Sequence, residues 1–108
     1  ATLCEWAGPD RDLIVDEALL PVLPEVRSAC KLLGMDPLFV ANEGVFLLAA
    51  PKPCAEELLA ALRGHPDGRG AALVGEVVPG QGRALADTGI GTRRRIWMPR
   101  GELLPRIC

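Results

Sequence analysis

The sequence lacks the features that mark a membrane or secreted protein. No apolar run among its 108 residues approaches the length of about 20 that a membrane-spanning helix needs, and no basic-then-apolar leader opens the chain. The formal net charge of −2 does not indicate a nucleic-acid-binding surface on the molecule as a whole. We therefore expect a cytoplasmic protein with neither a membrane nor a nucleic-acid partner.

Several patterns of catalytic and metal sites are also missing. The sequence contains no Walker motif, no Ser-His-Asp arrangement and no internal repeat. Its cysteines form no Cys-x-x-Cys pair, and His65 is the only histidine, so no metal site is predicted. We expect four free thiols, two of them (Cys30 and Cys54) small residues of the core.

An apolar content of 49% in 108 residues predicts one domain with its own core. Residues 1–7 have helical composition with no N-cap before them, which predicts that the chain begins inside a truncated helix of a longer protein. Pro99, Gly101 and Pro105 interrupt regular structure near the other end. We expect a domain at residues 1–98 and a flexible tail at residues 99–108.

Two amphipathic helices are predicted inside this domain. The first starts at Pro24 and ends at Gly34, with an apolar stripe at helical spacing: Val26, Ala29, Cys30 and Leu33. The second starts near Pro53, carries acidic residues in its first turn and ends at Gly64, and its predicted buried residues are Cys54, Leu58, Ala61 and Leu62.

Strands are predicted at residues 13–15, 45–50, 72–78, 83–87 and 93–98, with the apolar run at 45–50 the strongest. Turns separate the last three. The order of these elements predicts an α+β fold, with a mixed, mainly antiparallel sheet and helices packed on one face. The run Arg93-Arg94-Arg95 is typical of a charged edge strand, an interpretation we favour over anion binding.

Four residues are candidates for chemistry. Cys108 is the last residue of the chain, where a thiol on an extended tail could carry a small group into another active site. Asn42 and Glu43 precede the predicted strand at 45–50, although a plain turn ending at Gly44 explains them as well. His65 follows the second helix, and its alternative role is to satisfy the helix end.

Four segments carry a resemblance to a known family: LLGMDPLFVANEG at 32–44, ALRGHP at 61–66, GEV at 75–77 and PRIC at 105–108. In this order they resemble the C-terminal part of the HypE family of NiFe-hydrogenase maturation proteins, which are carbamoyl dehydratases of the aminoimidazole ribonucleotide synthetase superfamily. The match runs from the truncated first helix to the last residue, and the PRIC ending is its most specific feature.

The resemblance implies that a carbamoyltransferase, HypF, loads a carbamoyl group onto Cys108. ATP-dependent dehydration then gives a thiocyanate, the source of the cyanide ligands that a HypC-HypD scaffold delivers to the hydrogenase iron. Glu43 and His65 are the expected proton acceptors, and Asn42 is expected to orient the carbamoyl group. In similar proteins an N-terminal domain supplies most ATP and magnesium contacts and builds a homodimer, so the 108 residues alone are expected to be inactive.

Two other functions remain open from the sequence. The chain could be a protein-interaction module whose basic tail docks on a partner while Cys108 does no chemistry. It could also belong to another ATP-using branch of the superfamily, such as selenophosphate or thiamine-phosphate enzymes, although these lack the thiol ending.

Overall fold

The structure, a computed structural model, describes residues 2–40 and 42–97. The expected tail at 99–108, with Cys108, lies outside the described residues. The described residues form three α-helices, α1 (Thr2–Trp6), α2 (Pro24–Leu33) and α3 (Ala55–Arg63), and four strands: β1 (Arg11–Asp16), β2 (Gly75–Pro79), β3 (Ala84–Asp87) and β4 (Arg93–Ile96). Within the described ranges, no helix has the length and apolar character needed to cross a bilayer.

The four strands form one sheet in the order β2-β1-β3-β4. The pairs β1–β2 and β3–β4 are antiparallel, whereas β1 and β3 run parallel. The sheet is therefore mixed and mainly antiparallel, as the sequence predicts. Because β4 is an edge strand, the predicted location of the arginine run is also confirmed.

The core lies on one face of this sheet. Ala84, Ala86 and Ile96 are buried there together, and apolar residues of α1 and of a 3-10 turn (Pro37–Phe39) pack against them: Leu3, Cys4, Leu38 and Phe39. Residues paired across neighbouring strands share a face, so Leu13 and Val15 of β1 extend the same layer. The predicted α+β fold with helical elements against one face is confirmed.

Local sequence signals set the bounds of α2. Pro24 occupies its first turn, where a missing N–H costs no helical hydrogen bond. Gly34 ends the helix at φ 65°, a left-handed conformation that glycine adopts without steric penalty, and its N–H donates to the carbonyl oxygens of Cys30 and Lys31. Both ends agree with the prediction.

The strand predicted at residues 45–50 is wrong. The structure assigns no strand there, and every side chain of the run except Leu47 is exposed; 73% of the surface of Phe46 is accessible. A continuous apolar run indicates that burial is favourable but does not identify the element that covers it. None of the described strands pairs with this segment, so its side chains remain at the surface.

Predicted burial on the two longer helices is also only partly correct. On α2, Cys30 is buried, but Val26, Ala29 and Leu33 are exposed; Ala61 of α3 and Cys54, just before this helix, are also exposed. Leu58 and Leu62 are half-buried. The expected apolar stripes are therefore only partly covered within the described chain.

Candidate functional site

Asn42 and Glu43 lie on an irregular exposed segment between the 3-10 turn Pro37–Phe39 and α3. Gly44 follows at φ 74°, so glycine is favoured at this bend. The segment is placed by the turn before it, whose Leu38 and Phe39 pack into the core. Both polar side chains are therefore presented at the surface close to a fixed element.

His65 lies on a different segment, just beyond α3, and its side chain is 68% exposed. Its Nδ1 accepts a hydrogen bond of 3.2 Å from the backbone N–H of Asp67, which caps a short 3-10 turn (Pro66–Gly68). This bond assigns the proton of the neutral ring to Nε2. The alternative that His65 satisfies a local turn therefore describes its contact in this structure.

One polar cluster that the sequence did not predict is centred on Arg94. Its Nη2 lies 2.7 Å from Asp36 Oδ2, and its Nε donates to Glu17 Oε1. Burial alone would lower the pKa of Arg94, but hydrogen bonds and charge attraction from Glu17 and Asp36 outweigh it and raise the pKa. Arg94 is thus a permanently charged link between β4 and two other segments.

The neighbouring arginines of β4 have partners as well. Arg93 Nε lies 3.8 Å from Asp87 Oδ2, and the guanidinium of Arg95 stacks on Trp97 at 4.1 Å from the ring centroid. These contacts favour the edge-strand interpretation over a site for an anion. The sequence shows three adjacent positive charges, but only the folded structure shows which carboxylates pair with the arginines.

The described residues contain no group of three or more His, Cys, Asp or Glu side chains arranged to hold a metal ion. Cys4, Cys30 and Cys54 are free thiols, which confirms that prediction for the three described cysteines. A shallow recess of about 290 Å³ is lined by Cys54, Glu57, Leu58 and Ala61. Its lining offers no cation for a triphosphate, so it does not suit ATP.

The family follows from the sequence as a whole. The sequence model described as AIR synthase related protein, C-terminal domain, matches residues 1–87. The chain belongs to the AIR synthase related family. Within it, the domain is 50% identical over 94 residues to carbamoyl dehydratase HypE of Escherichia coli K12, covering 87% of this chain and 28% of that protein. HypE of Cupriavidus necator is 49% identical over 98 residues, with 89% and 28% covered.

Solved structures agree with this assignment of the AIR synthase related domain. A crystal structure of the hydrogenase maturation protein HypE superposes with a TM-score of 0.88 at 40% identity, covering 99% of this chain and 36% of that one. HypE in complex with ATP gives 0.85 at 39% identity, with 99% and 34% covered. HypE in a HypE-HypF complex gives 0.79 at 31% identity, with 89% and 30% covered.

The predicted resemblance to the C-terminal part of HypE is confirmed. This AIR synthase related domain spans less than a third of the curated relatives it matches.

Proposed function

We propose that this domain is the C-terminal part of a hydrogenase maturation carbamoyl dehydratase and that its Cys108 thiol carries the reacting group. The observation that carries this proposal is the 50% identity to a carbamoyl dehydratase over 87% of the chain. The segment Pro105-Arg106-Ile107-Cys108 contains the thiol to which the resemblance assigns the carrier role. A carrier of this kind fits a two-stage reaction in which one enzyme loads the thiol and another transforms the cargo.

In the loading stage, HypF transfers a carbamoyl group to Cys108 Sγ. A sulfur–carbon bond forms, the bond between the carbamoyl carbon and its activated donor breaks, and the thiol proton is released. The relative solved as a HypE-HypF complex supports this choice of partner. Because the thiolate is the nucleophile, loading depends on the access and ionisation of Cys108 and on few other groups of this domain.

In the second stage the carbamoyl oxygen must leave, and phosphorylation makes it a good leaving group. The oxygen attacks the γ-phosphorus of ATP, ADP departs, and one N–H proton is lost, giving an imidoyl phosphate on sulfur. The carbon–oxygen bond then breaks, phosphate leaves, the second N–H proton is lost and the nitrile forms. The sum is thiocarbamate plus ATP giving thiocyanate, ADP, phosphate and one net proton.

Glu43 and His65 are the candidates for the base that takes these protons. A general base needs an available lone pair within hydrogen-bond reach of the substrate. The Nδ1 lone pair of neutral His65 already accepts from the N–H of Asp67, so protonation there breaks a capping bond. We propose that Asn42, next to Glu43, orients the carbamoyl group through its amide.

ATP and magnesium are proposed to bind mainly to the remainder of the full-length protein. The relative solved with ATP supports nucleotide use by the family, whereas the described residues here provide neither a metal cluster nor a basic recess. Residues of this domain would supply the carrier and the proton acceptors. In the cell we propose a cytoplasmic homodimer of the full-length protein that passes its nitrile to the HypC-HypD scaffold.

The 108-residue chain alone is accordingly expected to bind ATP weakly or not at all and to perform no dehydration. Isothermal titration calorimetry of this chain against ATP with magnesium tests whether ATP binds mainly to the remainder of the full-length protein. Saturable micromolar binding would place nucleotide contacts in this domain instead.

The carrier role is tested by Cys108→Ala in the full-length protein, with Cys54→Ala as the control because Cys54 is the exposed free thiol of the described residues. Thiocyanate and cyanide formation should be abolished in the first variant and retained in the second. If Cys108→Ala remains active, the domain is instead a protein-interaction module with a non-catalytic basic tail.

A further inference from the structure

One carboxylate holds the start of a turn and the edge strand of the sheet at the same time. Asp36 Oδ1 accepts a 3.0 Å hydrogen bond from the N–H of Leu38, capping the turn Pro37–Phe39, while Asp36 Oδ2 pairs with Arg94. The same guanidinium also binds Glu17, at the first position of a 3-10 turn (Glu17–Leu19) after β1. Arg94 therefore joins three segments that are far apart in sequence.

The segments that leave this junction are those that carry the proposed chemistry. Asn42 lies six residues after Asp36, and Glu43 follows it. In the other direction, Cys108 lies fourteen residues after Arg94 on the chain that continues from β4. The eleven residues that follow Trp97, up to Cys108, span at most about 40 Å when extended, so the position of β4 limits where the thiol can go.

We propose that Arg94 is a positioning residue for the dehydration step. It fixes the position of β4, from which the chain continues to Cys108, relative to the segment that carries Asn42 and Glu43. This inference rests on the proposed function and adds a residue that contacts neither thiol nor nucleotide. Dehydration needs the loaded thiol and the proton acceptor together, and small misplacements of reacting groups cost about 10- to 100-fold in rate. Loading by HypF needs only the thiol, so its rate does not depend on the relative position of these two segments.

The same strand provides a matched control. Arg93 is adjacent, carries the same charge and pairs only loosely with Asp87 of β3, without touching the turn Pro37–Phe39. Arg93→Gln and Arg94→Gln therefore change the net charge equally but break different contacts. Asp36→Asn provides a second route, since its amide oxygen still accepts from Leu38 N–H while the Arg94 pair is lost.

The experiment separates the two stages in the full-length protein. HypF and carbamoyl phosphate load Cys108, the loading rate is followed by mass spectrometry, and ATP is then added to the isolated loaded protein for a single turnover. We expect Arg94→Gln to slow thiocyanate formation about 10- to 100-fold with loading unchanged, and Arg93→Gln to slow neither step. Asp36→Asn should also slow dehydration. Because both substitutions break the same ion pair, the variant that combines Asp36→Asn with Arg94→Gln should be no slower than Arg94→Gln alone.

Equal dehydration rates in the two arginine variants would overturn the inference, as would a parallel loss of loading and dehydration. Should Arg94→Gln fail to fold, Asp36→Asn decides: dehydration at the wild-type rate overturns the inference. If the wild-type protein forms no thiocyanate on Cys108, the proposed function fails first. If the wild-type protein forms thiocyanate on Cys108 and Arg94→Gln forms it at the same rate, the proposed function stands and only the positioning role of Arg94 is wrong.

Discussion

Asp12 of β1 forms an ion pair with Arg83, the residue directly before β3. Asp12 Oδ2 accepts from Arg83 Nε at 3.0 Å and from Nη2 at 2.5 Å, while Oδ1 accepts from the backbone N–H groups of Gln81 and Arg83, both at 2.9 Å. Only 3% of Asp12 is exposed. This buried carboxylate fixes the turn between β2 and β3 against β1.

The hydrogen bond from Arg83 is the main reason that the pKa of Asp12 lies far below its ordinary value of 3.8. A carboxyl whose pKa is lower in the folded state stabilises the fold fully above its unfolded pKa and loses this effect as the pH falls. We expect the stability of the 108-residue chain to drop steeply below about pH 4. Urea unfolding as a function of pH measures this.

The matched variants for that titration are Asp12→Asn and Asp67→Asn, since the Asp67 side chain is 95% exposed. Asp12→Asn should be less stable at pH 7 and should show a flatter loss of stability below pH 4, while Asp67→Asn follows the wild type. Identical profiles for all three chains would show that the Asp12–Arg83 contact adds no pH-dependent stability.

Gly34→Ala should destabilise the chain by about 1 kcal/mol, because the methyl group opposes a left-handed backbone. Gly34 has φ 65° but open space around its Cβ position, so strain rather than collision causes the loss. Gly70 also has open space, without a positive φ, and Gly70→Ala is the control, expected to be neutral or slightly stabilising. Equal unfolding free energies for both variants would contradict the assigned helix cap.

The parts of the fold that the sequence predicts are those with local causes. Pro24 and Gly34 bound α2, acidic residues open α3, and glycines at 89 and 91 take positive φ in the turn before β4. Each signal acts within a few residues of its effect. The sheet class follows because short strand patterns after the helices leave few ways to pair.

Long-range relationships were not predictable in the same way. Asp12 meets Arg83, and Arg94 meets Asp36, only after the strand register is set. The apolar run at 45–50 and the stripe of α2 show the converse, since their composition favours burial but most of their side chains are exposed in the described chain. For the site, the sequence itself identified Asn42, Glu43 and His65 as candidates, their expected roles came from the resemblance, and these roles remain predictions.

Phe46→Ser should reduce the binding of an apolar dye to the 108-residue chain while changing its unfolding free energy by no more than about 0.5 kcal/mol. The reason is that 73% of Phe46 is exposed, whereas Ile96 is only 6% exposed in the core. Ile96→Ala is the contrasting variant and should cost about 2–5 kcal/mol. Comparable losses of stability from both changes would show that the 45–50 segment is packed in solution.

The most direct test is mass spectrometry of the C-terminal peptide after the full-length protein has reacted with HypF, carbamoyl phosphate and ATP. We expect a carbamoyl adduct on Cys108. Only when ATP is present should this adduct be replaced by a species whose mass is lower by one water molecule. An unmodified Cys108 during active turnover, or an adduct on a different cysteine, would contradict it.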